Sequence, residues 1–293
     1  MDWYSDPNAT KPGDKWSQQD LKQLKKKLIT ANHILHHHGV VDAYGHISVR
    51  HPQDASIYIM CGYMAPGVVS RPEDLIEYRV EDSFPVDPEA KKGYSERFIH
   101  GEMFRMYESV NCVVHSHAQD VLPYATSEVP LMPVFHMAGF LGKKVPVFDI
   151  ATLYQPGEAQ DLLVRNACLG TELASKFTSP GVVLPDSADK IVKTDHTVVL
   201  MRRHGYTTHG PDIETAVYRA IYTKANASVQ TNSLLIQQAW SQGSSLGGLT
   251  PVLQPLTEEM CDGCDRMNTG TQDKPWRLWV AEVENLPLYV NMG

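Results

Sequence analysis

The 293-residue chain has no apolar run approaching the ~18–20 residues that a membrane-spanning helix needs, and it has no excess of Lys and Arg over Asp and Glu. Its 26 basic side chains against 34 acidic ones leave a net charge of −8. That balance disfavours nucleic acid and anionic membrane surfaces as partners, since both require a basic footprint. The opening stretch Met1 to Pro7 shows neither the basic nor the apolar segment of a secretory leader. Cysteine is scarce. Five cysteines, an odd number without the spacing of a disulfide framework, read as reduced thiols in a cytoplasmic protein. No Gly-x-Gly-x-x-Gly and no P-loop stands at a strand-to-helix turn, so dinucleotide and nucleoside triphosphate chemistry is not expected. What the chain does have is 42% apolar residues, enough for a substantial core, and thirteen histidines whose positions decide the function.

Residues 1–16 are polar and turn-rich and read as a tail, residues 17–245 carry regular patterning, and residues 246–293 read as a C-terminal extension. A helix is expected from Ser17, with Asp20 three positions on, through the 3-4-3-4 series Leu21, Leu24, Leu28, Ala31 and Leu35 to a stop at Gly39. Ile47-Ser48-Val49 and Ile57-Tyr58-Ile59, separated by a Pro-Gln-Asp turn, predict hairpin strands. Residues 61–94 predict loops around one short strand near Ile76–Val80. A second helix fits Glu96–Glu108, with Ser95 as its N-cap. Cys112-Val113-Val114 and Thr197–Met201 read as buried strands, with a helix over Asp161–Phe177 between them. A long helix follows Gly210, with Pro211 at its first position, and runs to about Trp240. Beyond Ser241 no sustained period is evident. The order predicts an α/β domain in which helices cover one sheet.

His115-Ser116-His117 follows directly on a predicted strand. Residues two apart on a strand share a face, which suits two ligands of one metal and equally suits hydrogen bonding at a strand end. His204-Gly205 follows a second strand, and the glycine allows close backbone approach. Three histidines at two strand ends would leave a fourth coordination position open, the mark of a catalytic rather than a structural zinc site. Glu96, nineteen residues before His115, could exchange protons with a substrate acidified by a metal, or could simply favour its helix's dipole. His36-His37-His38 reads as a helix end, His100 as a packing or supporting residue one turn after Glu96, and His209 as a loop residue. Cys261-Asp262-Gly263-Cys264 lacks a partner pair for a zinc ribbon.

Ser95-Glu96-Arg97-Phe98-Ile99-His100, then Val113-Val114-His115-Ser116-His117-Ala118, then Arg203-His204-Gly205 together resemble the class II aldolase/adducin family, over about residues 20–240. Gly45-His46-Ile47-Ser48 is similar to that family's Gly-Asn-x-Ser turn, in a variant similar to the adducin and fungal branches. The resemblance implies a three-layer α/β/α sandwich around a mixed, mainly antiparallel sheet. It also implies metal ligation by His115, His117 and His204, acid/base work by Glu96, and ring-like homotetramers with sites at subunit interfaces. The metal implied is Zn²⁺, with Mn²⁺, Co²⁺ or Fe²⁺ as alternatives. Family aldolases carry a tyrosine on the stretch that here runs Pro133 to Phe140. Met137 stands in its place and cannot donate a proton; His136 beside it is a candidate substitute acid and equally reads as a packing residue.

The places where the family binds phosphate also differ. They read Gly45-His46-Ile47-Ser48, a stretch within Met60–Gly67, and Tyr94-Ser95. Small donors have been exchanged for rings and apolar groups. His46, Ser48, Tyr63, Tyr94 and Ser95 are accordingly expected to contact a small substrate without phosphate, with Arg71 or Arg97 available for a carboxylate. The expected activity is a metal-dependent carbon–carbon lyase acting on a keto or hydroxy acid through a metal-stabilised enediolate, by retro-aldol cleavage or decarboxylation. A catalytically inactive adducin-like binding module, and an epimerase or dehydratase using the same metal site, are the alternatives.

Overall fold

The computed structural model describes residues 20–179, 193–243 and 252–293; the tail read over residues 1–16 lies outside them. Helix α1 (Leu21–His37) begins at Asp20, whose carboxylate accepts from the amides of Lys22 and Gln23. The cap is therefore Asp20, while Ser17 lies outside the described residues. Leu24, Leu28, Ala31 and Leu35 are buried as their spacing requires, and Gly39 turns the chain at φ +61°.

Seven strands follow among the described residues: β1 (His46–Arg50), β2 (Ile57–Cys61), β3 (Leu75–Arg79), β4 (Cys112–Ser116), β5 (Val147–Phe148), β6 (Val198–Met201) and β7 (Gly205–Gly210). They form one sheet in the order β3-β2-β1-β4-β7-β6-β5. Only the β5–β6 pair is parallel; the other neighbours are antiparallel. Alternate strand residues enter two separate cores. Ile47, Val49, Cys112, Val114, Val198, Leu200 and Tyr206 face α1 and the long helix α5 (Ile213–Gly243). Tyr58, Met60, Val113, Val199 and Met201 face α2 (Arg97–Met106) and α4 (Ala167–Ser175). A short helix α3 (Leu122–Thr126) lies after β4. The expected three-layer α/β/α sandwich around a mixed, mainly antiparallel sheet is what the chain forms.

Arg50 anchors the layer that carries α2. Its guanidinium donates to the carbonyls of Phe104, Tyr107, Val110 and Ala55 at 2.8–3.1 Å, tying the end of α2 and the turn into β4 to β1. Burial lowers its pKa to about 10, so it stays charged at neutral pH.

Several local expectations change. The N-cap of α2 is Glu96, not Ser95, which is exposed in the preceding turn. The helix expected over Asp161–Phe177 is shorter, because Asn166 caps it by accepting from the Leu169 amide. Pro211 precedes the long helix rather than opening it; Asp212 accepts from the Thr215 amide at 2.7 Å and α5 starts at Ile213. His209 lies in strand β7 and is buried. The stretch beyond Ser241 contains α6 (Glu258–Asn268) and α7 (Asp273–Glu284). Trp279 and Val283 of α7 enter the core beside α1 and α5. The three consecutive histidines help to dock this end: His36 pairs with the Tyr289 hydroxyl at 2.9 Å and His38 with Glu282 at 3.1 Å. Cys261 and Cys264 lie in α6, which seats against Gly139. No helix among the described residues is long and apolar enough to cross a membrane.

Gly205 opens β7 against β4, and a Cβ there would lie 2.0 Å from the Ser116 carbonyl oxygen. Gly205→Ala should therefore force β7 off β4, at about 1–3 kcal/mol for overpacking. For a domain of this size, thermal unfolding should drop by roughly 2–4 °C per kcal/mol. An unchanged midpoint would contradict this close approach.

Candidate metal centre

Strand register assembles the site before any side chain is considered. His46 of β1 stands opposite His115 of β4, and His115 stands opposite Thr207 of β7. This row lies on the α2 face of the sheet, as Val113 does. His117 follows β4 on the same side. His204 sits in the β6–β7 turn, closed by its amide donating to the Met201 carbonyl at 3.0 Å. Because Gly205 permits contact with Ser116, that turn reaches the end of β4.

The result is a compact donor set. One ligand atom from each of Glu96, His115, His117 and His204 lies within 4.8 Å of the others. His115 Nε2 is 2.9 Å from His117 Nε2, and Glu96 Oε2 is 3.8 Å from His115 Nε2 and 3.6 Å from His204 Nε2. Of the second nitrogens, that of His115 has a partner of the kind found behind metal-bound imidazoles. The Thr207 hydroxyl donates to Met201 Sδ at 3.3 Å, leaving its oxygen to accept from His115 Nδ1 at 3.4 Å. A proton on Nδ1 suits that contact and leaves the Nε2 lone pair directed at the cluster. Asp42 lies 4.0 Å from His117 Nδ1. His204 Nδ1 is buried with no partner among the described residues. Three imidazoles and a carboxylate this close suit a divalent transition ion.

Electrostatics agree with that chemistry. Burial, then the neighbouring His117, His204, His46 and His100 rings, hold His115 well below the ordinary histidine pKa. Burial, followed by His204, also lowers His117. Neutral imidazoles bind cations without first losing a proton.

Around this set lies a second layer. His46, fully buried, pairs through Nδ1 with His100 Nε2 at 2.7 Å, and His100 Nδ1 pairs with Ser48 Oγ at 2.6 Å. His46 Nε2 has no protein partner among the described residues. The His46 ring lies 5.1 Å from that of His115 and 4.7 Å from Tyr94, and Tyr63 lies 5.9 Å beyond Tyr94. Tyr94 is buried and donates its hydroxyl to the Met64 carbonyl, whereas Tyr63 is 56% exposed. The fold thus brings Glu96, His115, His117, His204, His46 and Tyr94 together, with Ser48 reaching the site through His100. Ser95 is exposed. His136 is also exposed, on the turn His136–Leu141 that α6 covers; its ring meets Phe135 and its carbonyl accepts from Asn268. Arg97 is engaged by the carbonyls of Ser83 and Tyr94 and by the rings of Phe84 and Phe98. Arg71 is exposed.

Val164 is a contributor that the sequence did not disclose. Its amide donates to Glu96 Oε1 at 3.0 Å. A backbone donor carries no residue-type signal, so composition and spacing could not reveal it.

His100 provides a pH test. Burial lowers its pKa to about 3, against about 6.5 in the unfolded chain. Between those values the unfolded state binds the extra proton, so stability falls as the pH falls, by about 1.4 kcal/mol per pH unit. His46 and His115 act in the same direction. In chelator-treated protein, thermal midpoints should drop steadily below about pH 6.5, and His100→Gln should flatten that slope. Parallel curves for the two proteins would contradict the assignment.

Comparison with known proteins shows the family. The profile of the class II aldolase and adducin N-terminal domain matches residues 26–231. A protein of Talaromyces stipitatus named decarboxylase tropJ is 43% identical over 268 residues, covering 92% of this chain and 97% of its own. The 3,4-dihydroxyphthalate decarboxylase of Arthrobacter keyseri is 25% identical over 276 residues, covering 92% and 98%. The crystal structure of an aldolase II superfamily protein from Pseudomonas syringae superposes with a TM-score of 0.66 at 18% identity, over 94% of this chain and 97% of that one. With the profile spanning most of the chain and a relative this similar across nearly its whole length, the chain belongs to the class II aldolase and adducin N-terminal domain family, as an aldolase-like lyase or decarboxylase.

Proposed function

We propose that this enzyme is a metal-dependent decarboxylase of an unphosphorylated, hydroxyl-bearing aromatic acid. The observation that carries the reading is the wall of rings leading away from the donor set, His46 to Tyr94 to Tyr63. A phosphate dianion needs several free donors, yet the Tyr94 hydroxyl is committed to the Met64 carbonyl. An aromatic ring stacks on such a wall without hydrogen bonds. Both curated relatives carry decarboxylase names, and one of those names specifies a dihydroxy aromatic acid.

In this reading His115, His117 and His204 hold the ion, and three imidazoles favour Zn²⁺, with Mn²⁺, Co²⁺ or Fe²⁺ as alternatives. When bound, a divalent cation supplies positive charge that stabilises the anion left on the substrate as the carbon–carbon bond breaks. Glu96, with Oε1 held by Val164, presents Oε2 as the proton carrier. It takes a hydroxyl proton from the substrate and delivers it to the carbon that loses CO2, and solvent restores the hydroxyl proton. His46 Nε2 binds a substrate oxygen, its tautomer set by the chain through His100 to Ser48. Retro-aldol cleavage uses the same charge stabilisation, but it expects an acid for the departing aldehyde oxygen. His136 could serve as that acid only from a neighbouring copy in the homotetramer that the reading includes. Exposed Leu235 and Ile236 on α5 supply apolar surface for such an assembly. The five free thiols suit a reducing cytoplasm.

The test is product analysis. Hydroxylated aromatic acids should release CO2, and Glu96→Gln should keep its metal while turnover falls by about 10²–10⁴. Efficient cleavage of a sugar phosphate, inhibited competitively by inorganic phosphate, would overturn the reading.

A further inference from the structure

Glu96 is the N-cap residue of α2, a position where a carboxylate ordinarily accepts from its own helix's first amides. It makes no such bond. Its Oε1 instead accepts across the molecule from Val164, in the segment between β5 and α4, and both groups are buried. Two residues earlier Leu162 holds φ +67°, a left-handed conformation that is rare for a residue other than glycine. The Leu162 amide donates to the Tyr154 hydroxyl oxygen at 2.7 Å, and Tyr154 and Leu162 both pack on the core beneath α2 and α4. A hydroxyl thus holds one amide, the turned backbone aims the next but one, and that amide holds the carboxylate.

We propose that Tyr154 is a positioning residue for the reaction: through Leu162 and the Val164 amide it fixes which oxygen of Glu96 faces the histidines. With Oε1 tethered, Oε2 is the atom left toward His115 and His204. Without the tether the carboxylate can rotate toward its own helix's amides, and small misplacement of a catalytic group lowers turnover sharply. The proposal rests on the catalytic role given to Glu96 above.

The experiment pairs kinetics with hydrogen exchange on the metal-loaded protein. Tyr154→Phe should lower kcat by about tenfold to a hundredfold, leave KM and bound metal unchanged, and speed exchange of the Val164 amide. β-Branched Leu162→Ile, which opposes the left-handed backbone, should reproduce the Tyr154→Phe defect. In a Glu96→Gln background Tyr154→Phe should cost no further turnover. An equal loss in both backgrounds, or unaltered Val164 exchange and kcat in Tyr154→Phe, overturns the proposal. If Glu96→Gln turns over normally, the catalytic role of Glu96 fails, while Val164 exchange in Tyr154→Phe still reports whether the tether exists.

Discussion

The contact of Gly205 with the Ser116 carbonyl is the constraint on which the site depends. His115 of β4 and His117 just beyond it supply two imidazoles and the β6–β7 turn carries the third, and they meet because β7 begins without a side chain. The same pairing sets His115 opposite Thr207, which orients the ring, and β1 sets His46 on its other side. Glu96 arrives from a different layer. Arg50 makes that arrival reproducible by tying the end of α2 and the entry to β4 to the sheet. Four side chains from three parts of the chain are thus brought together by backbone spacing and one buried guanidinium.

The fold also sets the charge state of the site. Buried imidazoles crowd together, and both desolvation and mutual repulsion oppose their protonation. Both effects favour the neutral form of His46 and His115, which is the form a cation requires of a ligand. The Nε2 of His46, without a partner among the described residues, and the committed hydroxyl of Tyr94 then bias what else can bind. The surroundings offer flat apolar surface and few free donors, which fits a hydroxylated ring better than a phosphate.

Much of this was legible in the chain. His-x-His on a strand and His-Gly after another follow from the two-residue period of β-structure, and the five α1 positions follow from helical period. The three-layer sandwich came from resemblance and is borne out by the two cores. Other features were hidden for physical reasons. His209 read as a loop residue because the strand that carries it, Gly205–Gly210, is bounded by glycines and is rich in polar residues. The seam of α7, Trp276, Trp279, Val280 and Val283, spans barely two turns after a Gly- and Ser-rich stretch. The consecutive histidines of α1 looked like a solvated helix end because their partners, Glu282 and Tyr289, lie some 250 positions away. Asn226 and Gln230 of α5 grip the backbone of residues 130–134. The left-handed Leu162 and the Val164 amide leave no mark on residue type at all.

The central claim is that one ion is held by these three histidines beside Glu96. Diffraction from metal-loaded crystals, recorded on either side of the ion's absorption edge, tests it most directly. The account predicts a single anomalous peak per chain at about 2.0–2.1 Å from a ring nitrogen of each of His115, His117 and His204. A fully loaded protein whose peak lies at other residues, or no peak at this site at saturating metal, would contradict it.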